Sequence, residues 1–179
     1  MIEQLEELFR HRGAEAYLGE AVTVAEHMLQ CAALASSEGA EDALVAAALL
    51  HDIGHMTGPL GEYTPEDTTD RRHDAYGAEF LDGHFPLLVV ESVRLHVEAK
   101  RYLCTIDETY FGKLSEPSQH SFKLQGGPMS SAEKTHFEMQ PFHREAIRVR
   151  LWDDAGKVAG ARIPDFSEFL PLLRRIGGD

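Results

Sequence analysis

The stretch Leu49-Leu50-His51-Asp52-Ile53-Gly54-His55, LLHDIGH, decides how this chain is read. It closes an apolar run of eight residues, Ala43 to Leu50. A segment apolar nearly all round is a central, buried helix. Two imidazoles and a carboxylate at the end of such a helix are costly to bury unless each finds a partner. The rest of the sequence has to supply that partner.

Helical periodicity runs outward from this stretch in both directions. Ile2, Leu5, Leu8 and Phe9 mark a first helix that Gly13 can end. Val22, Ala25, Met28, Leu29 and Ala32 mark a second, stopping near Gly39. EDALVAAALLHDIG predicts a third, acidic at its start and halting at Gly54. Residues 73–85 and 86–103 form a helix pair, with Pro86 suited to a first turn. From about 104 to 140 the pattern breaks. Pro117, Gly126, Gly127 and Pro128 predict a long irregular loop over the site, with one short helix after a Ser130–Glu133 capping box. A helix resumes over 141–157, and Asp165 caps a final one. No strand, repeat or low-complexity tract is evident. The expectation is an all-α helical bundle, one domain over 1–179.

Composition narrows the function. The net charge is −13 with neutral histidines, which argues against nucleic acid and against an anionic membrane surface as partners. Cys31 and Cys104 stand far apart with no CxxC spacing, which fits a reducing compartment. The acidic, amphipathic start MIEQLEELFRHRG is no signal peptide, and no apolar run is long enough to span a bilayer. A cytoplasmic location is expected. Ten histidines in 179 residues point toward metal chemistry.

The helical spacing places the polar residues. His27 lies beside the apolar stripe of the second helix, with Cys31 at i+4. His51 and Asp52 end the central helix, His73 opens the fourth, and His96 shares a face with Val93 and Lys100. Phe142, Ala146, Val149 and Asp153 make one stripe, so Asp153 closes an apolar face. Asp154 falls instead with Ile147, Arg150 and Leu151. Four histidines and two aspartates therefore point inward. Imidazole with carboxylate suits first-row transition metals. Six ligands are too many for one closed site and suit two ions, with Asp52 able to bridge them. His11, His84, His120, His136 and His143 receive no role.

Taken in order, Tyr17-Leu18-Gly19-Glu20, EHMLQCA (26–32), HDIGH (51–55), His73, HVEAKRYL (96–103), LQGGPMS (124–130) and WDD (152–154) resemble the HD-domain superfamily. The four-histidine, two-aspartate set is similar to its di-iron oxygenase branch, which includes myo-inositol oxygenase. It is most similar to the 2-amino-1-hydroxyethylphosphonate dioxygenase type, over roughly residues 15 to 157. The resemblance implies one iron on His27, His51, Asp52 and Asp153. It implies a second on the bridging Asp52 with His73 and His96. It further implies a mixed-valent Fe(II)/Fe(III) pair, dioxygen as co-substrate, and oxygenation at C1 that breaks a C–P bond.

The resemblance also implies roles for the surrounding residues. Lys100, one turn beyond His96, reaches an anion at the metals, and so does His55. Ser118, Ser121 and Gln125 are further phosphonate contacts. Glu20 reads a cationic amino or ammonium group, and Tyr17 resembles the residue that holds an iron position until substrate displaces it. Tyr17, Glu20, His55 and Lys100 form the catalytic set. The partner this implies is a small zwitterionic phosphonate. A primary amine gives glycine as product. A trimethylammonium group gives glycine betaine and needs aromatic faces, for which Tyr17, Tyr63, Tyr76 and Tyr102 are candidates. The competing reading on the same scaffold is a metal-dependent phosphohydrolase acting on a phosphate ester. In a third reading the metals only brace a helical bundle.

Overall fold

Each apolar stripe becomes a helix, and side-chain caps mark where several begin. The computed structural model describes residues 1–15, 17, 19–58 and 68–178. Leu18, Tyr63 and the 59–67 part of the segment before His73 lie outside the described residues. The helices are α1 (Ile2–Arg12), α2 (Val24–Ser37), α3 (Asp42–Leu50), α4 (Ile53–Thr57), α5 (His73–Leu81), α6 (Leu87–Ile106), α7 (Glu116–Leu124), α8 (Ser131–Met139), α9 (His143–Ala155) and α10 (Leu170–Ile176). Among the described residues there is no strand. No described helix is long and apolar enough to cross a membrane. Thr23 with Glu26, Ser130 with Glu133 and Asp165 with Glu168 form capping boxes, each satisfying donors that a helix start leaves open.

Helix α3 is the axis. Every residue from Leu44 to Leu50 is buried, with α2, α6 and α9 packed against it and α10 behind. Helix α6 in turn packs on α5 and α9. The main core gathers α1 to α6, α9 and α10. A smaller core of Leu95, Ala99, Met129, Phe137 and Ala146 seats α8 on α6 and α9. Phe137 is fully buried there, which contributes roughly 1.5–3 kcal/mol.

Two expectations change. The central helix stops at Leu50 rather than at Gly54, because Asp52 leaves helical geometry with φ −102° and ψ 12°. That break lets adjacent His51 and Asp52 both turn toward the same interior space. Gly54 lies inside α4 and serves close approach instead. A Cβ there would stand 1.8 Å from the His73 carbonyl oxygen, so only glycine lets α4 meet α5.

The second correction concerns 104–140, which is not a long irregular loop. Helix α6 continues to Ile106, a 3-10 turn covers Phe111–Lys113, and α7 and α8 fill most of the remainder. Pro117 looks like a breaker in the sequence, yet it stands in the first turn of α7 behind the Ser115 cap, where proline has no donor to lose. Gly126 and Gly127, at φ 102° and 66°, make the turn between α7 and α8.

Candidate metal centre

Five elements deliver the predicted ligands to one interior point. His27 comes from α2, His51 and Asp52 from the α3–α4 break, His73 from the start of α5, His96 from the middle of α6 and Asp153 from α9. All six are buried. His27 and His51 meet Nε2 to Nε2 at 3.1 Å, and His73 and His96 do the same at 3.0 Å. Asp52 lies between the two pairs. Its Oδ2 is 3.5 Å from His27 Nε2 and 3.4 Å from His51 Nε2. Its Oδ1 is 3.4 Å from His73 Nε2 and 3.5 Å from His96 Nε2. Asp153 joins the first pair, with Oδ1 3.4 Å from His27 Nε2.

The hydrogen bonds behind the rings define what these atoms are. His27 Nδ1 donates to the Gly156 carbonyl at 3.0 Å, His51 Nδ1 to that of Ala48 at 2.9 Å, and His96 Nδ1 to that of Val93 at 2.6 Å. A carbonyl only accepts, so in these rings Nδ1 carries the hydrogen, and when the ring is neutral Nε2 carries a lone pair. Neutral His27 and His51 thus aim two lone pairs at each other and at carboxylate oxygens. Such a cluster is repulsive on its own and becomes favourable around cations, the arrangement metal-binding histidines adopt. The donor set fits two first-row metal ions, with one Asp52 oxygen offered to each.

Protons can supply that positive charge: against burial, Cys31 and the carboxylates of Asp153 and Asp52 raise His27 well above the ordinary imidazole value, and Asp52 raises His96. Burial alone would raise the Asp52 carboxyl, but the imidazoles of His51, His27 and His96 hold it well below the usual carboxylate range. Burial and the neighbouring His55 hold the His73 imidazole well below its ordinary value, hence neutral and able to ligate. Against burial, Arg150 and Lys157 keep Asp153 ionised. Cys31 lies near the first pair, its Sγ 3.8 Å from His27 Nδ1, but it donates to the Trp152 carbonyl at 3.4 Å. Burial pushes its thiol up, so it stays protonated and ties α2 to α9.

A pocket opens on the centre, enclosing about 470 Å³ with its mouth included. Tyr17, Glu20, His55, Lys100, Ser118 and Ser121 line it, as do Asp52, His73, His96 and Asp153. Tyr17 donates to Asp52 Oδ2 at 2.7 Å and stacks on His27 with centroids 4.5 Å apart. His55 stacks on His73 at 4.2 Å. Lys100 Nζ donates to Ser121 Oγ at 2.8 Å. Burial, with the Arg150 guanidinium next, pushes this lysine down to about 7. Gln125 is buried at the end of α7 but is not among the lining residues. Tyr76 and Tyr102 are not lining residues either, Tyr102 instead donating to Glu138 at 3.0 Å.

Sequence reasoning missed two cations. Arg150 pairs with Asp153 Oδ2 at 2.5 Å and also with Asp154, which Tyr110 bonds in turn. Lys157 Nζ lies 3.2 Å from Asp153 Oδ1, 3.8 Å from Glu20 Oε1 and 3.0 Å from Ser118 Oγ. For Arg150 the signal was helical spacing, i−3 from Asp153 on α9; Lys157 lies beyond the end of that helix.

The HD-domain pattern matches residues 24–155, from the first residue of α2 to the last of α9. The chain belongs to the HD-domain family. This HD-domain protein is 47% identical over 176 residues to the [1-hydroxy-2-(trimethylamino)ethyl]phosphonate dioxygenase (glycine-betaine-forming) of Leisingera caerulea, covering 98% of this chain and 90% of the relative. It is 42% identical over 171 residues to the hydroxymethylphosphonate dioxygenase of Gimesia maris, covering 94% and 84%. It is 30% identical over 168 residues to the uncharacterised protein L432 of Acanthamoeba polyphaga mimivirus, covering 93% and 77%.

Proposed function

We propose that this HD-domain protein is a di-iron dioxygenase that cleaves the C–P bond of a short 1-hydroxyphosphonate bearing an amino or trimethylammonio group at C2. One observation carries the reading. A single carboxylate, Asp52, lies between two facing imidazole pairs at the floor of a pocket lined by a buried lysine and α7 hydroxyls. Two relatives whose names give phosphonate dioxygenase activity support it.

His27, His51, Asp52 and Asp153 would hold one iron, and Asp52, His73 and His96 the other. When bound, the pair supplies redox equivalents and a template for substrate and dioxygen. The protein's own groups do the rest. Lys100 and His55 give charge-assisted contacts to the phosphonate, with Ser118 and Ser121 beside them. Glu20 faces the cationic end. Tyr17 keeps its phenolic proton on Asp52 Oδ2 until substrate takes that space. The net reaction joins the hydroxyphosphonate and O2 to give a carboxylate, phosphate and one proton. Carbon and phosphorus each gain one oxygen.

The test is aerobic and anaerobic assay of iron-loaded protein on 1-hydroxyphosphonates carrying an amine, a trimethylammonium or no nitrogen. Oxygen uptake matched one to one by phosphate release, forming glycine or glycine betaine, is expected. Phosphate release from an ester without oxygen would replace this reading with the hydrolase one.

A further inference from the structure

The Tyr17–Glu20 turn is held by α7. Gly19, at φ +65°, lies so close to Pro117 that an added Cβ would be 2.8 Å from its Cγ. One residue later, Ser115 Oγ donates to Glu20 Oε1 at 2.5 Å. The same hydroxyl accepts from Ser118 N at 3.3 Å as the cap of α7. Lys157 Nζ stands 3.8 Å from that same Glu20 oxygen. Among the described residues no partner is found for Oε2, and Glu20 lines the pocket.

We infer that Ser115 is a specificity-determining positioning residue. It ties down one oxygen of Glu20 and so holds the other ready for the cationic end of the substrate. The inference rests on the proposed function and names a residue that acts through Glu20. A half-buried carboxylate with one oxygen fixed presents its charge in one place, and a ligand cation need not spend binding energy ordering it. Because Ser115 also caps the helix carrying Ser118 and Ser121, it sets the distance between the phosphonate end and the ammonium end of the pocket.

The test compares two ligands on the iron-loaded full chain, with dissociation constants measured by calorimetry without oxygen. One is [1-hydroxy-2-(trimethylammonio)ethyl]phosphonate and the other is hydroxymethylphosphonate, which has no cation. Ser115→Gly removes the donor while glycine remains an acceptable cap. Ser115→Thr keeps both functions. In Ser115→Gly the ratio of the two constants should shift roughly tenfold against the ammonium ligand, the size of one charge-assisted hydrogen bond, and Ser115→Thr should restore it. An unchanged ratio, equal weakening of both ligands, or failure of threonine to restore the ratio would each overturn the inference. A wild-type protein that binds neither phosphonate would overturn the phosphonate reading itself, and the inference with it.

Discussion

Tyr17 donates its phenolic proton to Asp52 Oδ2 at 2.7 Å, so a residue of the turn before α2 is bonded to the carboxylate between both imidazole pairs. Tyr17→Phe removes that donor without removing a ligand. The variant should hold its full iron complement while its resting visible and Mössbauer spectra change. Its stability should fall by about 1 kcal/mol, the worth of one hydrogen bond. Spectra identical to wild type would place Tyr17 outside the iron environment.

Asp52 is the carboxylate that meets all four imidazoles. Asp52→Asn keeps the shape but removes the charge that sits between four imidazoles. Iron occupancy measured by elemental analysis should drop from two per chain to at most one. His51→Ala should also lose iron at the His27 side. Two tightly held ions in Asp52→Asn would show that the carboxylate does not bridge. Chelation of wild-type protein should lower its melting temperature, because ions that bind only the folded chain stabilise it by mass action.

Gly54 tests how the fold places His73. In Gly54→Ala the new Cβ would stand 1.8 Å from the His73 carbonyl oxygen, so α4 and α5 must separate. Destabilisation of roughly 1–3 kcal/mol by denaturant unfolding is expected. Iron loss should be selective for the His73–His96 side. A variant as stable as wild type, with both ions, would contradict the close approach.

The six clustered residues were legible because each combines a polar group with an apolar helical setting, and periodicity alone sends such residues inward. Asp153 was separable from Asp154 on the same ground. Asp153 closes an apolar stripe and reaches His27, whereas Asp154 pairs with Arg150 and Tyr110. Helix α7 was not legible, because Pro117 and the following glycines read as breakers until the Ser115 cap is seen. Lys157 was not legible as part of the site either. It follows Gly156, beyond the end of α9, and only the fold brings Glu20 and Ser118 to it.

Lys157 should therefore support the metal and substrate ends together. Lys157→Met removes the cation 3.2 Å from Asp153 Oδ1 while keeping the aliphatic bulk. Iron at the His27–His51 side should be released at lower chelator concentration than in wild type, and the ammonium ligand should bind differently because Glu20 loses its neighbour. Unaltered chelator sensitivity would reduce Lys157 to a packing role.

The last prediction concerns pH. Burial, with Arg150 next, pushes the Lys100 ammonium down from 10.5 to about 7. Below that value the side chain is charged, and above it the free protein holds a neutral amine. A bound phosphonate favours the charged form, so ligand affinity should fall as pH rises through and above about 7. The guanidinium of Lys100→Arg stays charged across this range, so that limb should flatten. Lys100→Ala should retain iron and bind the phosphonate weakly at every pH. Folding carries the opposite slope. Between about 7 and 10.5 the unfolded chain binds the proton that the folded chain has lost, so this residue's contribution to stability rises with pH across that window. Calorimetric affinities from pH 6 to pH 9 (roughly the range a buried amine near 7 spans in titrating) read the first effect, and denaturant unfolding over the same range reads the second. A wild-type profile parallel to that of Lys100→Arg would remove Lys100 from the anion site.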